Sequence, residues 1–300
     1  MNKLHILTLL NTKGIDKNVV ARLIQSGNVH TDMYDLYANL VDLKAPNNSI
    51  KIPELDTLLV GNEIANRIIE KSKNEGIKIL SQLDEGFPNR LKTIPNSPLL
   101  IHVKGDVNCL NNKKSIAVIG TRKPTDYANR ISKLYSQKFA ENNIDVISGL
   151  ARGCDTNAHK GCIEAGGKTI AVLAGGLDVI NPTDNIELAE NIINNNGALI
   201  SEFQIGTPAR RNYFVERNRL QCGLSKALLV IETDLTGGSM HTVRFAKEQN
   251  RPIYVDYTKL KSRLDLNIFQ GNKYLYENKE AFPILNNNDI DTLINFIIKN

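Results

Sequence analysis

No apolar run in this chain is long enough to cross a membrane: nothing approaches the roughly 20 residues that a bilayer core demands. The N-terminal patch Leu4-His-Ile-Leu-Thr-Leu-Leu10 is short and runs into Asn11-Thr-Lys-Gly14. It lacks a basic flank followed by a small-residue cleavage site, so it does not read as a secretory signal. Cysteine is scarce too. Cys109, Cys154, Cys162 and Cys222 form no C-x-x-C pair and no Cys/His set at zinc-ligand spacing. Reduced thiols and a cytoplasmic location are the expectation. Three nucleotide and hydrolase signatures are also missing. Without G-x-x-x-x-G-K-[ST] there is no Walker-type NTPase, and no G-x-G-x-x-G follows the first core strand to hold a dinucleotide. No G-x-S-x-G elbow presents a nucleophile. No cofactor and no metal are called for.

What is present is a globular composition. The 300 residues are 41% hydrophobic and 23% charged, with a net charge of +5 that is compatible with nucleic acid without demanding it. Residues 1–72 read as a small helical domain, with stripes at Leu4, Leu7 and Leu10, at Leu36, Tyr37 and Leu40, and at Ile64, Ile68 and Ile69. Leu9-Leu10-x-x-x-Gly14-Ile15 is similar to a helix–hairpin–helix turn; a plain packing or dimerisation domain is the alternative. Residues 76–104 carry two strands, Gly76–Leu80 and Leu99–Val103, separated by Phe87-Pro88, Ile94-Pro95 and Ser97-Pro98. This segment is expected to add to the edge of the main sheet.

From about residue 113 to 285, strands and helices alternate, the pattern of an α/β, doubly wound, mostly parallel sheet. The strands are Ser115–Gly120, Asp145–Ser148, Lys168–Leu173, Ala198–Ser201, Ala227–Ile231 and Pro252–Val255. Their Val, Ile, Leu and Ala content fits burial on both faces. A domain over 73–285 follows, then a short helical tail over 286–300 with Ile290, Leu293, Ile294 and Ile297 on one face.

The chemistry-bearing residues collect where strands run into loops. Gly120-Thr121-Arg122 follows the first core strand, with a hydroxyl and a guanidinium suited to phosphate. Ser148-Gly149-Leu150-Ala151-Arg152-Gly153 follows the second, and its glycines allow close backbone approach. Asp155 falls where a helix N-cap belongs. Arg152 either binds phosphate or pairs with Asp155 or Asp178. Thr236-Gly237-Gly238-Ser239 opens a helix after the fifth core strand and is a further anion site. Arg210, Arg211, Arg217 and Arg219, with Tyr213 and Phe214 among them, form the densest basic segment. Arginines interleaved with aromatics suit single-stranded nucleic acid; a solvated helix with Phe214 in the core is the alternative. Lys168 stands at a strand start, hence by topology at the opposite end of the sheet. Cys154 and His159 diverge on one helix, and Glu202 and Glu232 sit at strand ends without an evident partner.

Taken in order, these blocks resemble the DNA-processing protein A family (DprA, also called Smf). The residues that carry the resemblance are Gly120–Arg122, Ser148–Asp155 with Ala158-His159, and Gly167–Leu173. Gly176–Pro182, Ser201-Glu202, Phe214–Ser225 and Gly237–Thr242 complete it. The resemblance covers about 75–270. It implies an extended Rossmann-like fold behind a SAM-like or helix–hairpin–helix-like domain. It further implies a homodimer that is not an enzyme, binds single-stranded DNA and loads a RecA-type recombinase during natural transformation. The DNA-binding residues it implies are Gly120, Thr121, Arg122, Ser148, Gly149, Arg152, Lys168, Arg217, Asn218, Arg219, Gly237, Gly238 and Ser239. For Lys168 the resemblance overrides the topological reading.

There are departures: Thr121 for Ser, Cys154 for Ile, Val215 for Pro and Gly237 for Ser, with Asp256-Tyr257 in place of the usual Pro-Gly. The chain reads as a diverged member without the C-terminal winged-helix domain. The alternative readings of the same pocket are a nucleotide-binding sensor and a LOG-like nucleotide phosphoribohydrolase. The latter family ends its Gly-Gly motif in a catalytic glutamate, where this chain has Arg244.

Overall fold

The structure, a computed structural model, describes residues 1–28, 30–44, 51–258, 263 and 265–299. The chain forms two compact units, Met1–Phe87 with Pro98–Ile101, and Pro88–Ser97 with His102–Asn300.

The first unit carries helices α1 (Lys3–Leu10), α2 (Lys17–Gln25), α3 (Met33–Lys44) and α4 (Leu55–Asn74), then strand β1 (Ile77–Ser81). It therefore extends past the helical boundary at residue 72 to take in a strand. Asn2 caps α1 by accepting from the His5 amide at 3.0 Å, and Asp16 caps α2 by accepting from Asn18 at 2.7 Å. Ile6, Leu7 and Leu9 of α1 are buried with Val20, Leu23, Leu36, Leu40, Leu58, Ala65 and Ile68. Leu10, expected on the apolar stripe, is exposed, because the buried face of α1 is turned toward Ile6 and Leu9.

The second unit alternates strand and helix. Strand β2 (Leu100–Gly105) leads into it, after the short helix α5 (Asn89–Lys92). Then come β3 (Ser115–Ile119), α6 (Asp126–Glu141), β4 (Asp145–Ser148), α7 (Cys154–Glu164), β5 (Thr169–Val172), α8 (Ile186–Asn194) and β6 (Ala198–Ser201). The remainder is α9 (Arg211–Glu216), α10 (Asn218–Leu224), β7 (Ala227–Val230), α11 (Gly238–Glu248), β8 (Ile253–Asp256), α12 (Gln270–Glu277), β9 (Phe282–Ile284) and α13 (Asn287–Lys299).

The strand order in the sheet of this unit is β2-β6-β5-β4-β3-β7-β8-β9. Strands β6 to β9 pair in parallel, and β2 pairs antiparallel with β6 in the register His102↔Ser201 and Gly105↔Ala198. Residues His102–Gly105 thus add to one edge of the sheet. The fold is the α/β, mostly parallel sheet expected from the pattern.

Side-chain alternation along β3 explains the layers. Ile116 and Val118 pack with Tyr135 and Phe139 of α6, Ala158 of α7, and Ile290, Leu293 and Ile297 of α13. Ala117 and Ile119 face the other way, toward Cys222, Val243, Ala246 and Leu275 of α10, α11 and α12. The C-terminal tail is therefore a core helix of this unit rather than an appendage.

Candidate functional site

Strand β3 has β4, β5 and β6 added on one side and β7, β8 and β9 on the other. Loops that follow β3 and β7 consequently diverge, which opens a crevice at the C-terminal edge of the sheet. A cleft of about 760 Å³ lies there. Its walls are the Gly120–Lys123 loop after β3, Ala151 and Asp155 after β4, and Arg211, Phe214 and Val215 of α9. Asn218 and Gln221 of α10, and Thr233 through Thr242 after β7, close it.

The first loop is set by close contacts. A Cβ on Gly120 would run into the Cys154 side chain, so only glycine lets β3 end against the start of α7. The Thr121 amide donates to the Glu232 carbonyl at 2.7 Å, and the Thr121 hydroxyl accepts from the Lys123 amide at 3.2 Å. Arg122 and Lys123 project from this loop into solvent. The Arg122 guanidinium carbon lies 5.1 Å from the centroid of the half-buried Phe214 ring, a cation–π arrangement. Arg211, one turn before Phe214 on α9, is exposed on the same rim. Across the cleft, Gly237, Gly238 and Ser239 form the first turn of α11. The site therefore offers three exposed basic side chains, an aromatic face and a helix N-terminus to one ligand.

The second loop serves the fold instead. Asp155 does not cap α7: the N-cap is Gly153, at φ 81°. The Asp155 carboxylate reaches back to accept from the amides of Gly149 at 3.1 Å and Ala151 at 3.4 Å. Those N–H groups, on the loop whose glycines were expected to let the backbone approach a ligand, are already occupied. Ser148 donates its hydroxyl to the Val118 carbonyl at 2.7 Å and is buried. Arg217 is buried as well. Its guanidinium donates to the Val172 carbonyl and lies against Gly149. Burial pulls its pKa down to about 10, with Asp155 opposing and Arg122 adding to the shift. Ser148 and Gly149 therefore lie behind the cleft, and the buried Arg217 is part of its lining.

Three other expected residues stand apart. Lys168 precedes β5 at the opposite end of the sheet. It lines a separate 380 Å³ cavity with Cys109, Asp145 and Gly167, and its ammonium lies 3.4 Å from Asp106. Lys168 thus lies at the end of the sheet where its place before β5 puts it, away from the cleft. Arg152 pairs with Asp184 at 2.7 Å on the exposed surface, with neither of the partners anticipated for it. Arg219 is buried in an ion pair with Glu202. Glu232, the other strand-end acid, receives the Thr125 amide at 2.8 Å and the Arg263 guanidinium at 2.8 Å. Neither glutamate is unpartnered. Gly120, Thr121, Arg122, Arg217, Asn218, Gly237, Gly238 and Ser239 are the expected residues that the fold gathers on the cleft. Lys123, Arg211, Phe214, Thr233, Asp234 and His241 join them. Of these, Arg211 and Phe214 carried a signal in the basic-aromatic segment.

Cys154 and His159 do not line the cleft. Cys154 is buried and burial pushes its thiol well above the ordinary range; His159 hydrogen bonds through Nδ1 to Thr169 Oγ1 at 2.7 Å instead. Among the described residues, no group of three or more His, Cys, Asp or Glu is placed to hold a metal ion. No helix among them is long and apolar enough to cross a membrane.

Residues 78–295 match the protein family described as DNA recombination-mediator protein A. The chain belongs to this family. Relatives include protein Smf of Escherichia coli, 37% identical over 170 residues that cover 57% of this chain and 45% of that protein. DNA processing protein DprA of Streptococcus pneumoniae is 35% identical over 174 residues, 58% of this chain and 61% of that one. The chain spans about half the length of several curated relatives it matches, 48% for the Synechocystis Smf protein. Among solved structures, the crystal structure of S. pneumoniae DprA superposes with a TM-score of 0.78 over 97% of this chain and 98% of that one, at 24% identity. DNA processing protein A from Helicobacter pylori, solved for its single-stranded DNA binding mode, superposes with a TM-score of 0.65 at 28% identity, over 74% of this chain and 96% of that one.

Proposed function

We propose that the cleft at the end of β3 binds single-stranded DNA and holds it for a RecA-type recombinase, as part of DNA processing during uptake. The observation that carries this is the placement of exposed Arg122, Lys123 and Arg211 around the half-buried ring of Phe214. Guanidinium groups neutralise phosphates, and an accessible aromatic face accepts an unstacked base, which a duplex does not offer. The H. pylori relative, named for its single-stranded DNA binding, supports the same assignment.

Binding without turnover fits the lining. Its two carboxylates are both engaged: Asp155 with Gly149 and Ala151, and Asp234 with the Thr236 amide at 2.8 Å. At the position of the phosphoribohydrolase glutamate, Arg244 stands off the lining and pairs with Glu248 at 3.6 Å. Titration of a fluorescent dT oligonucleotide, a matching duplex and AMP across salt tests the assignment. Tight binding of the oligonucleotide that weakens steeply with salt is expected. Preference for AMP, or release of free base from it, would overturn it.

The chain is further proposed to act as a homodimer. Strand β9 ends the sheet, and Phe282 on it is 60% exposed. Sedimentation should give twice the chain mass; a monomer that still binds oligonucleotide would refute the dimer.

A further inference from the structure

We infer that Arg263 is a positioning residue for the cleft, fixing from the buried side of the sheet the loop on which Arg122 stands. The inference rests on the DNA-binding function proposed above.

The contacts form one chain from Arg263 to Arg122. Arg263 has 4% of its side chain exposed and is absent from the cleft lining. Its guanidinium is a fork: Nη2 donates to Glu232 Oε1 at 2.8 Å and Nη1 to Asp256 Oδ2 at 2.6 Å. The rings of Tyr127 and Phe269 lie 4.7 and 4.2 Å from its central carbon. Glu232 in turn grips both ends of the Thr121–Thr125 loop. Its carbonyl accepts from the Thr121 amide at 2.7 Å. Its carboxylate accepts from the Thr125 amide at 2.8 Å and the Thr125 hydroxyl at 3.1 Å. The same Thr125 hydroxyl caps α6 by accepting from Ala128 at 3.2 Å. Arg122 lies between the two gripped ends.

Glu232 is wholly buried, and so is Asp256. Two carboxylates at the end of neighbouring strands hold this arrangement only with a cation between them. Arginine suits the place better than lysine, because two carboxylates and two ring faces are met by one flat, permanently charged group. The rim cation that meets phosphate is thus oriented by a second cation that never touches the ligand.

Arg263→Lys keeps the charge and removes the fork. Its thermal unfolding, dT-oligonucleotide affinity, salt slope and amide exchange over residues 120–126 are to be compared with wild type, Arg122→Ala and the double variant. The folded Arg263→Lys protein should bind about tenfold more weakly, with the salt slope lowered by about one, like Arg122→Ala. The double variant should lose no more than Arg122→Ala alone. Amide exchange at 121–125 should quicken without DNA. A folded Arg263→Lys with wild-type affinity, or losses that add in the double variant, would overturn the inference. If Arg263→Lys does not fold, the charge-neutral set Arg263→Met, Glu232→Gln and Asp256→Asn carries the same comparison. If Arg122→Ala itself leaves affinity unchanged, the DNA-binding assignment is the one that fails. The exchange measurement then still decides the positioning role: unchanged exchange refutes it.

Discussion

The guanidinium of Arg122 rests 5.1 Å above the ring of Phe214, so a charge and an aromatic face share one point on the cleft rim. A nucleotide bound there meets both at once. Arg122→Ala should weaken dT-oligonucleotide binding about tenfold and lower the salt slope by about one. Phe214→Leu should cost about 1–3 kcal/mol of affinity while leaving the salt slope unchanged, because it removes a stacking face and no charge. Fluorescence anisotropy at several salt concentrations separates the two losses.

Lys168→Ala provides the opposite control. The lysine stands at the far end of β5 beside Asp106, in a cavity that shares no residue with the cleft. Its removal should leave oligonucleotide affinity within about twofold of wild type, as expected for an exposed pair of small energetic weight. A loss equal to that of Arg122→Ala in the same titration would move the binding site to the other end of the sheet.

Gly153 sits at φ 81°, ψ −124°, a region open to glycine and strained for other residues. A Cβ there would meet the Thr121 carbonyl at 2.5 Å and Pro124 Cδ at 2.7 Å. Gly153→Ala should lower the free energy of urea unfolding by about 1–3 kcal/mol. It should also weaken oligonucleotide binding, since the displaced backbone is that of the Arg122 loop.

His159 gives a pH dependence of defined sign. Burial, and to a lesser degree Arg217, hold its pKa down to about 3, against 6.5 for an ordinary histidine. The native protein keeps the ring neutral, so nothing is lost above pH 6.5. Below that value the unfolded chain binds a proton that the folded chain does not, and stability falls until about pH 3. Between pH 7 and pH 5 the stability of wild type relative to His159→Gln should therefore drop by about 2 kcal/mol. Urea titrations of both proteins at the two pH values read this directly; a pH-independent difference would contradict it.

Much of the fold was legible because parallel strands here are local runs of apolar residues between glycine-bearing loops, as in Ser115–Gly120. Strand β9 was not: it is Phe-Pro-Ile, three residues with a proline, tolerated because it lies at the sheet edge. Helix α12 was hidden by its polar start, Gln270-Gly-Asn-Lys. In the cleft, Arg122 could be read from its loop alone. The roles of Glu202 and Glu232 could not, since their cations Arg219 and Arg263 come 17 and 31 residues later in the chain. Asp155 misled for a related reason. Its position in sequence suits a helix cap, but the backbone turn ahead of it brings the amides of Gly149 and Ala151 within reach first.

That turn has a consequence for the cleft. With its own carboxylate seated among the amides after β4, the protein carries a built-in counterfeit of the anion that such loops usually receive. That corner of the cleft is thus filled by the protein's own carboxylate before any ligand arrives, while Arg122 and Arg211 stay exposed on the rim.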